Sequence, residues 1–258
     1  MLDATRAAAS LSLTTKELTT MEPVTNSDHL QIGGILFPDL DQLDFTGPFE
    51  ILSRIPNSTF HILAKDRTPI SDVRGLILSP TLTFSEAPPL DLLLVPGGSG
   101  VNALMEDETV LAFVRHQAAA AKYTMSVCTG ALVLGAAGLL KGRRATTHWA
   151  SHHLLKHFGA IPVNERVVLD RGVVTTAGVT AGIDGALRMA ALLRGDQAAQ
   201  EIQLFLQYAP DPPFESGTPE TALPDVLQAS RETLRDVLEA RVAIVSRVEK
   251  KLAAKSAA

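Results

Sequence analysis

Cysteine is almost absent: the 258-residue chain has one, Cys128. An intrachain disulfide is excluded, and so is a zinc site built from cysteines. A lone thiol fits a reducing compartment, and a cytoplasmic location is expected. An excess of positive charge is lacking too. Lys and Arg number 23 against 28 Asp and Glu, a net charge of −5. That balance speaks against a general nucleic-acid surface. No apolar run reaches roughly 18 residues, the length that spans a bilayer as a helix. No membrane partner is expected. Residues 1–28 lack Phe, Trp and Tyr and have no apolar core of the signal-peptide kind. They are expected to form a disordered extension.

What is present is ordinary for a folded domain. Hydrophobic residues make up 46% and charged residues 20%, enough to bury a sizeable core without metals or disulfides. Apolar strand-like runs lie at Leu30–Phe37, Thr59–Lys65, Asp91–Val95, Tyr123–Val127, Arg166–Asp170 and Val173–Thr176. Helical patterns alternate with them at Phe45–Arg54, Asp107–Ala121, after Cys128, at Trp149–Phe158, Ala181–Leu193 and Asp196–Gln207. The polar stretch Asp39–Asp44 and the segment Thr81–Leu90 read as loops. Alternation of this kind predicts a mostly parallel sheet covered on both faces, with sites at the carboxyl ends of its strands. The α/β domain is expected over residues 29–209. A proline-rich linker covers 210–224, and 225–258 reads as a single amphipathic helix. Leu234, Leu238, Val245, Val248 and Leu252 share one face of that helix, which would pack on its own domain or on a twin subunit.

Chemistry gathers at the strand ends. Cys128 stands between the strand Tyr123–Val127 and a helix, where backbone N–H groups and the helix dipole favour a thiolate. Away from such a corner a lone cysteine would read as a small buried hydrophobe. Gly97 and Gly98 follow the strand Asp91–Val95, and their N–H groups could hold a developing negative charge. Asp44, flanked by Leu43 and Phe45, is either a helix cap or a partly desolvated carboxyl able to exchange protons near neutral pH. His148 is a residue type that serves as base to cysteine nucleophiles. The pairs His148/His152 and His153/His157 have metal-compatible spacing. No Glu completes an HExxH pattern, so a solvated helix face is preferred and no metal is expected.

Five segments together resemble the ThiJ/PfpI family of the class I glutamine amidotransferase-like superfamily. They are Asp44-Phe-Thr-Gly-Pro, Val95-Pro-Gly-Gly-Ser-Gly, Ser126-Val-Cys-Thr-Gly, Arg144-Ala-Thr-Thr-His-Trp and Gly178-Val-Thr-Ala-Gly-Ile-Asp. The resemblance implies a flavodoxin-like three-layer α/β/α sandwich, a nucleophile elbow at Cys128 and a homodimer. It maps the family's nucleophile to Cys128, its acidic partner to Asp44 and the following threonine to Thr129. Gly178 and His148 are second-tier candidates. The proteolytic branch places His after the nucleophile; Thr129 at that position points away from peptidase chemistry. The branch most resembled hydrates isonitriles, small R–N≡C molecules, to formamides, and needs no cofactor. There are two alternatives: the ligand-sensing domain of AraC-type transcription regulators, which resemble the chain over the Cys-Thr-Gly and Thr-Thr-His-Trp segments, and another family enzyme such as a glyoxalase or deglycase. Only 45 residues follow Pro213, about half of what a paired helix-turn-helix module requires.

Overall fold

The computed structural model describes residues 28–257. The expected extension over 1–28 lies, apart from Asp28, outside the described residues. The strand β1 (Leu30–Ile35) leads into α1 (Gln42–Leu52), followed by β2 (Ser58–Ala64). A small antiparallel pair, β3 (Ile70–Ser71) and β4 (Ile77–Leu78), precedes β5 (Leu82–Thr83) and β6 (Leu92–Val95). Helices α2 (Val101–Leu104) and α3 (Glu108–Ala120) come before β7 (Tyr123–Val127) and α4 (Gly130–Ala136). Next are β8 (Arg144–Ala145), a 3₁₀ helix (Trp149–Phe158) and β9 (Ile161–Pro162). Then follow β10 (Val167–Asp170), β11 (Val173–Thr176), α5 (Ala181–Arg194), α6 (Asp196–Phe205), α7 (Pro224–Thr233) and α8 (Arg235–Ala257).

Seven strands form the main sheet in the order β10-β11-β7-β6-β1-β2-β5. All neighbours are parallel except β10 and β11. That antiparallel pair turns through Arg171 and Gly172, both at positive φ (47° and 80°). A two-residue hairpin of this kind matches the twist of the strands, and Gly172 adopts the conformation without strain. In β6 all four residues are fully buried. A strand covered on both faces has no polar alternation, which explains the continuous Leu-Leu-Leu-Val run. Helices α1, α5 and α6 pack together on one face of the sheet. On the other, α2, α3, α4, the 3₁₀ helix and α8 pack with one another. The result is a flavodoxin-like three-layer sandwich. Among the described residues no helix is long and apolar enough to cross a membrane.

Three local readings differ from the expectation. First, α1 begins at Gln42, inside the stretch read as a loop. Asp41 is its cap and accepts the Leu43 N–H, so Asp44 lies in the first helical turn. Second, Thr81–Leu90 is not all loop, because Leu82–Thr83 pairs with β2 as an edge strand. Third, the C-terminal segment is two helices broken at Leu234. Just before the break, the Ser230 and Thr233 hydroxyls donate to the carbonyls of Val226 and Ala229. Such back-bonding competes for helix carbonyls and bends helices. The first piece, α7, buries no residue, whereas α8 packs on the 3₁₀ helix, α2 and α4 of its own chain.

Candidate active site

Val127 ends β7 and Gly130 begins α4, so Cys128 sits at the corner between sheet and helix. Its φ is +54°, a left-handed backbone that a non-glycine residue adopts only where its surroundings enforce it. Here three hydrogen bonds do so. The Cys128 N–H donates to the carbonyls of Thr176 (3.2 Å) and Ala177 (2.9 Å). The Thr147 hydroxyl donates to the Cys128 carbonyl at 2.6 Å. The strained elbow directs the sulfur at the β1–α1 junction, where Asp44 waits.

Asp44 is fully buried. The Gly97 N–H donates to its Oδ2 at 2.9 Å, while Oδ1 has no nitrogen or oxygen partner among the described residues. Burial, reinforced by the nearby Asp41 charge, raises its pKa from the ordinary 3.8 to about 7, against the Gly97 and Cys128 hydrogen bonds. The Cys128 thiol is pushed well above its ordinary range, first by burial and then by the Asp44 charge. The backbone N–H groups of Thr129 and Val179 hydrogen-bond the sulfur and pull the other way. The corner alone therefore does not leave a free thiolate. Instead, one carboxyl and one thiol share a buried space, and their protonation is coupled.

The glycine pair holds this space open. The Gly97 N–H is given to Asp44, and the Gly98 N–H to Thr129 Oγ1 at 3.1 Å. Thr129 Oγ1 also lies 3.2 Å from the Gly98 carbonyl, to which it can donate. The N–H groups that meet the sulfur come instead from Thr129 and Val179. Close approach explains the glycine at position 97. A Cβ there would lie 2.6 Å from Thr129 N and 2.7 Å from both Asp44 Oδ2 and Thr129 Oγ1.

His148 is near but plays a different part. Its Nδ1 accepts the Ala150 N–H and caps the 3₁₀ helix. Burial, and then the charge of Arg241, lowers its pKa to about 4, so it is neutral at physiological pH. Its ring lies against Gly178, where a Cβ would come within 2.9 Å of His148 Cδ2. The structure thus brings Gly178 and His148 together, with no hydrogen bond between His148 and the Cys128 sulfur among the described contacts. Of the other histidines, His152 bonds the Val163 carbonyl and His157 pairs with Glu249.

Sequence reasoning missed Arg241, Val179, Asn102 and Ser151. Arg241 was legible in principle. It completes the stripe 234-238-241-245-248-252, whose 4-3-4-3-4 spacing is that of one buried helix face.

Comparison with known proteins gives this geometry a family. The DJ-1/PfpI family model matches residues 32–192. The chain belongs to the DJ-1/PfpI family. Isonitrile hydratase of Pseudomonas putida is 53% identical over 223 residues, covering 86% of this chain and 98% of that protein. A solved ThiJ/PfpI family protein from Pseudomonas syringae superposes with a TM-score of 0.82 at 40% identity, covering 91% of this chain and 99% of the other. The HTH-type transcriptional regulator GbdR of Pseudomonas aeruginosa is 27% identical over 195 residues, and that match spans 53% of the regulator.

Proposed function

We propose that this DJ-1/PfpI protein is an isonitrile hydratase, adding water to R–N≡C to give the formamide R–NH–CHO. The observation that carries the reading is the 53% identity over nearly the whole of a curated isonitrile hydratase. The buried Cys128–Asp44 pair is its chemical counterpart. The reading takes a small neutral substrate, because Asp44 and Cys128 are both buried and a charged molecule would be costly to desolvate there.

The steps follow from the pair holding one proton. With that proton on Asp44, the Cys128 thiolate attacks the terminal isonitrile carbon and forms a C–S bond. The Asp44 proton goes to the same carbon, giving the thioimidate R–N=CH–S–Cys and an Asp44 carboxylate. The carboxylate then takes a proton from water as its oxygen adds to the carbon, and passes that proton to the imine nitrogen. The adduct is R–NH–CH(OH)–S–Cys. Collapse forms the carbonyl, breaks the C–S bond, returns the electron pair to sulfur and the hydroxyl proton to Asp44. The net reaction is one isonitrile and one water to one formamide, without redox change. Gly97 and Gly98 hold Asp44 and Thr129 in place through their N–H groups, and the Thr129 hydroxyl orients the attacking water or Asp44. Splitting the addition into two covalent steps lowers each barrier.

The working form is proposed to be a cytoplasmic homodimer. Leu204, Phe205, Phe214 and Leu223 support the second part, since all four are largely exposed near the linker. The test of the activity is formamide production from cyclohexyl isocyanide. Wild type is expected to make the formamide and Cys128→Ala to make none above background. Absence of product from wild type would overturn the reading.

A further inference from the structure

Arg241 of α8 reaches into the site from the far end of the sequence. It is only 5% exposed. Its Nε donates to Asn102 Oδ1 at 2.8 Å, Nη1 to Ser151 Oγ at 2.9 Å, and Nη2 to the Gly98 carbonyl at 3.2 Å. All three acceptors are neutral. Among the described residues no carboxylate lies within ion-pair distance of this guanidinium. A buried cation without a counter-charge is costly, and buried charges are ordinarily paired. One nearby group can supply the missing anion when it ionises: the Cys128 thiol.

We infer that Arg241 is a positioning residue whose buried guanidinium is the counter-charge for the Cys128 thiolate. The inference rests on the proposed hydratase reading for its purpose, though not for its geometry. Two routes connect the groups. Through space, burial disfavours the arginine cation, and the Cys128 charge acts in the opposite direction. Through contacts, Arg241 holds the Gly98 carbonyl, and Gly98 holds Thr129, the residue after Cys128. Asn102 and Ser151 fix the guanidinium plane, so little reorganisation is needed when charge develops on sulfur. The groups that act on Cys128 are then balanced. Asp44 and Asp41 from the start of α1 oppose the thiolate, while the Thr129 and Val179 N–H groups favour it; the inferred role of Arg241 adds to the favourable side. His148, held neutral beside Arg241, adds no charge. Delivery of this cation makes α8 part of the catalytic unit.

The test is the pH dependence of Cys128 alkylation by iodoacetamide, which needs no isonitrile. Arg241→Gln is expected to raise the midpoint by about one pH unit, slowing alkylation near neutral pH roughly tenfold. Arg241→Lys, which keeps a charge, is expected to hold the midpoint near wild type. Asn102→Leu removes one anchor and leaves the charge, guarding against a Gln variant that does not fold. It is expected to raise the midpoint by a smaller amount. A merely structural arginine would lower the melting temperature and leave the midpoint unmoved; an unmoved midpoint in Arg241→Gln or Asn102→Leu overturns the inference. Formamide production by wild type is measured alongside. Its absence would overturn the hydratase reading, and the alkylation midpoints would still decide the role of Arg241.

Discussion

At the scale of single residues, the proposed chemistry depends on one proton shared by two buried groups. Asp44 titrates at about 7 and Cys128 well above its usual range. The first proton therefore leaves the pair near pH 7 and leaves the singly protonated form that the mechanism needs. The expected outcome is a kcat/KM that rises with pH through about 7 and then levels; a flat profile from weakly acidic to weakly basic pH would contradict it. Stability carries the opposite sign. The folded state keeps the Asp44 proton more tightly than the unfolded chain, so stability falls as pH rises from about 4 to about 7 and is then constant. Asp44→Asn should remove that component, on the order of 4 kcal/mol, and denaturant unfolding at both pH values checks it. Gly97→Ala should push Asp44 and Thr129 from their places and lower kcat/KM about 100-fold, with Cys128 still alkylated. Cys128 and Asp44 were legible because the corner and the flanking apolar residues carry their chemistry locally. The hydrogen bonds made by Gly97 and Gly98 were not, because a glycine pair in sequence does not say which acceptor its N–H groups will meet.

At the scale of elements, α4 and α8 have unequal visibility. The strand-to-helix turn at Cys128 is written in contiguous residues, and β7 has the expected bounds, with α4 following the cysteine as expected. The C-terminal helix was visible as an apolar stripe on which Arg241 also falls, yet its break at Leu234 and the partners of Arg241 were not. Those partners, in the 3₁₀ helix and the loop after β6, lie far off in sequence. Val245 is fully buried in that interface. Val245→Ala is expected to destabilise the protein by about 2 kcal/mol and lower the melting temperature by roughly 5 °C. Calorimetry checks this, and an unchanged melting temperature would mean that α8 is not docked in solution.

At the scale of the whole molecule, a mostly parallel sheet covered on both faces was readable from strand and helix alternation, since parallel strands require crossovers and bury both faces; the order of its strands was not. The β10–β11 hairpin was readable as two short strands, Arg166–Asp170 and Val173–Thr176, separated by Arg171 and Gly172. Less accessible was the joining of residues 44, 97, 128 and 241, four points spread along the chain, into one buried site. Their assembly supports a single mechanism in which water reaches the isonitrile carbon only after sulfur does. Intact-protein mass spectrometry after rapid quenching with cyclohexyl isocyanide tests that claim most directly. The account predicts a species heavier by one isonitrile, located on Cys128, that decays as formamide accumulates. Formamide formed at the full rate with no such species, or formed equally well by Cys128→Ala, would contradict it.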